Sequence, residues 1–234
     1  MKPLRTSLFL AGVMAPVILF AARAGAQQSR RIVVTPYAGM FMPSDKLAEL
    51  RADVSGLPRV MGMRQQSSLA MGAGASYWFN DFAGVELGGA WAFSDVVPSL
   101  GLASQVPGLS STRNESARVL MGSAKLMVNL FRLNQRSAVR LGVGPAIIQR
   151  GGAAYDADSN GEFTGLTDFG GAVSLCTRLP LTDFLALRVR AENYMYSTRL
   201  GYRSRETSNE EFNFQSRMQN DFIFSAGLQM VWRR

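Results

Sequence analysis

Apolar and polar residues alternate along most of this chain, in blocks separated by polar or glycine-containing stretches. Eight blocks carry the pattern, at roughly 31–41, 67–79, 84–94, 117–130, 137–149, 166–178, 184–196 and 219–232. Successive side chains of a β-strand point to opposite faces, so a period of two predicts strands with one apolar and one polar face. The last block is the clearest. Phe222, Phe224, Ala226, Leu228, Met230 and Trp232 share one face, and Asp221, Ser225, Gly227 and Gln229 share the other, with Ile223 among them. In the third block Val85, Leu87, Trp91 and Phe93 oppose Glu86, Gly88, Ala90 and Ala92. In the seventh, Leu185, Leu187, Val189, Ala191 and Met195 oppose Arg188, Arg190, Glu192, Tyr194 and Tyr196. Pro36 and Pro145 fall inside predicted strands. Proline brings no N–H to a ladder, so bulges or register irregularities are expected at both.

Alternation does not say which face is inside. A water-soluble sandwich or barrel buries the apolar face, whereas a membrane barrel turns it to lipid. Three features favour the membrane. The polar face is rich in small residues, among them Gly72, Gly74, Ser76, Gly88, Gly142, Gly144, Gly170 and Ser174. Water-facing strand positions prefer Thr, Lys or Glu, so a crowded lumen explains small residues better. Aromatics gather at strand ends, with Tyr77, Trp78, Phe79 and Phe82 around one turn and Phe131, Phe184 and Trp232 at similar depth, as in an interfacial girdle. The third feature is the N-terminus. Lys2 and Arg5 precede the apolar run Leu8–Ala22, and Ala24-Gly25-Ala26 forms a small-x-small cleavage site. Residues 1–26 therefore read as a signal peptide and 27–234 as the exported domain.

Connections alternate in length. The short ones are Asn80-Asp81, 132–136 and 179–183; the long ones are roughly 42–66, 95–116, 150–165 and 197–218. Short turns at one end and long loops at the other are the membrane-barrel asymmetry. The predicted fold is all-β: an eight-stranded antiparallel up-and-down transmembrane β-barrel with short periplasmic turns and long extracellular loops. The strands after the short turns look alike: Val85-Glu86-Leu87-Gly88, Val139-Arg140-Leu141-Gly142 and Leu187-Arg188-Val189-Arg190. This hairpin repeat puts Glu86, Arg140 and Arg188 at matching lumen depth.

Composition narrows the chemistry. The chain is 47% hydrophobic and 18% charged, too apolar for a disordered chain. Histidine is absent, which removes Ser-His-Asp and Cys-His mechanisms and every His-ligated metal site. Cys176 is the single cysteine, so there is no internal disulfide; on the predicted inner face it reads as a small buried residue. The formal charge of +8 raises nucleic acid or an anionic membrane as partners. Three of the 25 basic residues lie in residues 1–26, leaving 22 against 17 acidic ones. The remaining basic residues are scattered, with no basic run interleaved with aromatics, which argues against nucleic acid.

The alternation, the glycine-rich inner face and the C-terminus together resemble the small eight-stranded outer-membrane barrels of Gram-negative bacteria, of the OmpA-barrel, OmpX and OmpW type. The stretch Ser225-Ala226-Gly227-Leu228-Gln229-Met230-Val231-Trp232 is similar to the C-terminal assembly signal of that family, with Ser225, Gly227, Met230 and Trp232 at its marked positions. The resemblance implies a bacterial outer-membrane location and recognition of this strand by the outer-membrane insertion machinery. It also implies lipid and lipopolysaccharide around a single copy of the chain.

The inner face would hold Glu86, Lys125, Arg140, Asp168, Arg178, Arg188, Arg190, Glu192 and Asp221. Charges enclosed in a narrow barrel need partners. Glu86 with Lys125 and Arg140 with Asp168 are the expected cross-strand pairs. Two readings follow: a salt-bridge plug, or a charged constriction in a pore. Eight strands leave room for little beyond side chains, which favours the plug.

Asp156, Asp158 and Asn160, followed by Gly161, match the first positions of a calcium loop, but Thr167 stands where a bidentate Glu belongs. A polar loop tip is the other reading, and no cofactor is otherwise expected. Arg64, Arg113, Arg118, Arg150, Arg199, Arg203, Arg205 and Arg217 lie in or beside long loops, where guanidinium groups could meet lipopolysaccharide phosphates or simply be solvated. Residues 44–54 suggest a short amphipathic helix with Leu47, Leu50 and Val54 on one side, at the barrel mouth.

Two functions remain open. One is a non-enzymatic barrel with a structural or surface-interaction role. The other is a narrow channel for small, apolar solutes, motivated by the apolar 44–54 segment and by Val96, Val97, Leu100 and Val106. Barrel enzymes generally lean on histidine as a general base, and this chain has none, so no enzyme activity is expected.

Overall fold

The computed structural model describes residues 31–44, 47–54, 57–98, 115–132, 137–156, 161–204, 211–213 and 216–233. Thirteen strands run in order: β1 (Arg31–Met42), β2 (Ala48–Val54), β3 (Leu57–Gln65), β4 (Ser68–Trp78), β5 (Ala83–Pro98), β6 (Glu115–Arg132), β7 (Ala138–Gly151), β8 (Gly161–Thr164), β9 (Thr167–Pro180), β10 (Leu185–Ser197), β11 (Gly201–Ser204), β12 (Glu211–Asn213) and β13 (Met218–Arg233). Eight of them close a ring in the order β1-β4-β5-β6-β7-β9-β10-β13, with β13 returning to β1. Every neighbouring pair in the ring is antiparallel. Each wall strand falls on one of the eight alternating blocks.

The polarity is inside-out. Leu69, Leu87 and Phe169 are 73%, 66% and 76% exposed on the outer wall, while Glu86 is fully buried within. Trp91, Phe93 and Phe224 also face out. Phe79, Phe82, Phe131 and Phe184 lie exposed at the short-turn end, where a girdle was expected. Trp78 departs from that expectation. It shares the parity of Ser76 and Gly74, so its ring turns into the lumen and is buried.

The prolines hold register. Pro36 faces Ala73 on β4 and Pro145 faces Gly171 on β9, each within an unshifted ladder. On their other sides the ladders skip the rungs at 35–36 and 144–145 and resume in the same register, since flanking rungs hold the strands together. The register shift instead falls between Asn129 and Phe131. The short turn at 79–82 is fixed by Asn80, whose Oδ1 accepts from the N–H groups of Phe82 (2.8 Å) and Ala83 (2.6 Å).

The long connections carry strands of their own. The helix expected over 44–54 is not formed. Residues 48–54 make β2, which pairs with β3 and through it extends β5 beyond the wall. Only Ser55-Gly56 separates the two strands in sequence, a spacing that favours a hairpin over a helix. Strands β8, β11 and β12 form a second, three-stranded sheet at the same end.

Candidate functional site

The interior is layered. At the short-turn end Val33, Trp78, Met127 and Cys176 pack together. Arg140 lies over the Trp78 ring, 4.5 Å from its centroid, and donates from Nε to Asn129 Oδ1 (3.1 Å). Arg178 is half-buried at this end, opposite Arg188 in register.

Above this layer lies the central ion network. Glu86 on β5 meets three cations: Lys125 Nζ (3.3 Å), Arg188 Nη1 (2.5 Å) and Arg190 Nη2 (3.2 Å). Glu192 on β10 meets Lys125, and Arg190 at 3.2 Å. Ser76 donates to Glu86 Oε2 (2.9 Å), and the Arg190 guanidinium stacks over the Tyr37 ring at 4.9 Å. Strands β5 and β10 are opposite in the ring, so the contacts of Glu86 with Arg188 and Arg190 span the lumen. The inner glycines make room for them. A Cβ at Gly74 would lie 3.3 Å from Arg190 Nη2, and one at Gly88 3.4 Å from Ser123 Oγ. Every charge of the network is at most 3% exposed. Buried ions persist where geometry and added hydrogen bonds compensate their desolvation, and each ion here has an opposite charge.

An apolar layer follows, built from Tyr37, Phe41, Ala90, Met121, Ile148, Tyr194 and Ile223 among others. Beyond it, at the long-loop end, is a second polar cluster. Arg150 donates to Asp168 (2.6 Å) and to Tyr196 Oη (2.7 Å), and Tyr196 donates to Asp221. Asp221 Oδ1 accepts from the backbone N–H of Ser44 (3.0 Å). Leu47 is buried, and its carbonyl accepts from Gln219 Nε2 and Thr198 Oγ1, both at 3.3 Å. Chain from the β1–β2 connection is thereby tied across the mouth to β13. In the adjoining turn Tyr155 packs edge-on against Phe163, and burial pushes its phenol pKa up.

The inner-face charges read from the sequence are thus brought together, but not all as paired. Glu86–Lys125 forms as expected. Arg140–Asp168 does not. In the β7–β9 ladder Arg140 faces Cys176, whereas Asp168 faces Ile148 at the far end of the strand, beside Arg150. Arg150, placed by the sequence among loop arginines, is a lumen residue. It shares the parity of Arg140 and Gly142, and only its nearness to a long connection obscured this. Arg203 is exposed and paired with Glu162 at 3.3 Å. Arg113 and Arg205 lie outside the described residues.

Of the assembly-signal residues, Ser225 and Gly227 face inward and Met230 is half-buried; the Trp232 backbone pairs with Ile32. Gly227 lies where a Cβ would meet the Pro36 carbonyl at 2.4 Å, so close approach of β1 and β13 requires glycine there. Asp156 is exposed, and Asp158 and Asn160 lie outside the described residues. Among the described residues no group of three or more acidic or cysteine side chains is arranged to hold a metal.

No protein-family model and no curated protein sequence matches the chain. Solved structures do. The structure is similar to the outer membrane protein OprG from Pseudomonas aeruginosa, with TM-score 0.57 at 15% identity, covering 90% of this chain and 99% of that one. It is also similar to the outer membrane protein AlkL in DMPC lipid bilayers, with TM-score 0.65 at 13% identity, covering 90% of this chain and 93% of that one. At such identities the likeness is one of fold. The chain is a small eight-stranded β-barrel of the outer-membrane type. Its apolar outer wall around a charged interior places it in the bacterial outer membrane.

Proposed function

We propose that the chain is a closed, non-enzymatic barrel whose lumen is filled by its own side chains, and which acts through its outer wall and outward-facing sheets. The observation that supports this best is Glu86, held by Lys125 on the neighbouring strand β6 and by Arg188 and Arg190 from across the lumen. Eight strands enclose a space just wide enough for side chains, and these ions use it on one another. Their charges are spent on one another, with no histidine to supply a general base. The reading requires no metal or cofactor and a single copy of the chain. Planar-bilayer recording of the full chain tests it: a flat baseline is expected, and resolved single-channel steps would overturn it.

A narrow channel for small apolar solutes is the second reading. It is favoured by the apolar layer around Phe41, Met121, Ile148 and Ile223, which lies between the two polar clusters. Vesicle uptake of a small hydrocarbon that depends on the protein would select it.

A further inference from the structure

On the outer wall, near the long-loop end, two rungs cross β5, β6 and β7. The inner rung is Trp91, Leu120 and Gln149; the next one out is Phe93, Arg118 and Gly151. All of these side chains face away from the lumen. Trp91 stacks on Phe93 at 5.3 Å between ring centroids, making a flat apolar wall beside Leu120. Arg118 is exposed, and its guanidinium makes no ion pair or hydrogen bond among the described residues; Asp95, one rung further out, does not pair with it. Beside Arg118, Gly151 leaves open space, with nothing within 4 Å of where a Cβ would stand. The result is a notch of about 250 Å³ lined by Trp91, Arg118, Leu120, Gln149, Arg150 and Gly151, with the Arg150 guanidinium committed to Asp168 and Tyr196 in the lumen.

We propose that this notch binds the phosphorylated headgroup of an outer-leaflet lipid. The long-loop end of such a barrel faces outward, so Arg118 stands at the headgroup level while Trp91 and Leu120 extend into the acyl region. A guanidinium matches a phosphate bidentately, and an amide such as Gln149 adds a donor beside it. The apolar floor takes the first segment of an acyl chain. The notch is smaller than an ordinary small-molecule pocket of about 300–1,000 Å³, which fits a headgroup better than a solute. The site is independent of whether the lumen is closed.

The test is native mass spectrometry of the full folded chain in detergent, titrated separately with dioleoyl phosphatidic acid, dioleoylglycerol and inorganic phosphate. One saturable copy of phosphatidic acid is expected, with the other two at least about tenfold weaker. Arg118→Ala and Gly151→Leu should each weaken phosphatidic acid by about tenfold or more, by removing the cation and by filling the notch. Gly151 has no positive φ and open space, so the leucine fits the strand, and a heat-dependent gel shift verifies folding of each variant. Arg199→Ala, another exposed arginine, should leave binding unchanged. Retained affinity in Arg118→Ala, an equal loss in Arg199→Ala, or equal binding of dioleoylglycerol or inorganic phosphate would each overturn the proposal.

Discussion

Arg188 and Glu86 meet across the barrel from opposite walls, 2.5 Å apart and 102 residues apart in sequence. Glu86 is thereby shared among cations from β6 and β10, and Glu192 links the same two strands again through Lys125. The network ties walls that share no ladder, and removing Glu86 leaves Arg188 buried without an ionic partner in it.

Glu86→Gln should therefore lower the unfolding free energy by about 3–5 kcal/mol, the cost of leaving a buried cation uncompensated. Urea unfolding in detergent, followed by the gel shift, measures this. Adding Arg188→Gln should cost much less than the two single losses combined, because the residues are coupled. Additive losses would show that the contacts act independently.

Truncating the pair should open a path. Glu86→Ser with Arg188→Ser removes one charge of each sign and two long side chains from the central polar layer. Single-channel steps absent from the parent chain are expected in planar bilayers. A double variant that folds and stays silent would place the barrier elsewhere, at the apolar layer or the mouth.

The mouth is tied through Asp221, which holds the Ser44 N–H and accepts from Tyr196. Asp221→Ala should free the connection after β1 while the wall persists. Protease added outside intact cells should cut within 43–66 faster than in the parent, with the gel shift retained. Tyr196→Phe keeps the ring beside Arg150 but loses the hydroxyl, and should cost about 1–3 kcal/mol.

Two glycines on the wall should respond in opposite ways. A Cβ at Gly144 would lie 1.9 Å from the Ala124 carbonyl oxygen, so Gly144→Ala must push β6 and β7 apart. At Gly89 the nearest atom would be 3.9 Å away, and Gly89→Ala should fold as well as the parent. Refolding yield into detergent micelles separates them.

Because no cofactor is proposed, a chelator should leave the urea midpoint unchanged. A midpoint that rises with added calcium and falls with chelator would instead support ligation by Asp156, Asp158 and Asn160.

The wall strands were legible because a period of two is a local property. Phe224 and Ser225 point apart whatever the rest of the chain does. The small residues facing Glu86 and Arg188 also revealed which side was inside, since Gly74 and Gly88 suit a crowded lumen and not a solvated face. At Trp78, position at a strand end and parity point opposite ways, and parity wins. Leu47, Leu50 and Val54 fit a helical spacing as well as a hairpin, so the segment that forms β2 is ambiguous in sequence. Arg150 looks like a loop residue because its strand runs further than the apolar alternation does.

The sequence by itself determined the strands, their alternation and the inside-out polarity, because these depend on neighbours one and two residues away. Tertiary structure alone decided which charges meet. That choice follows from ring closure and register, which bring β5 opposite β10 and send Asp168 to Arg150 rather than Arg140. A partner across a lumen leaves no spacing in the chain from which it could be read.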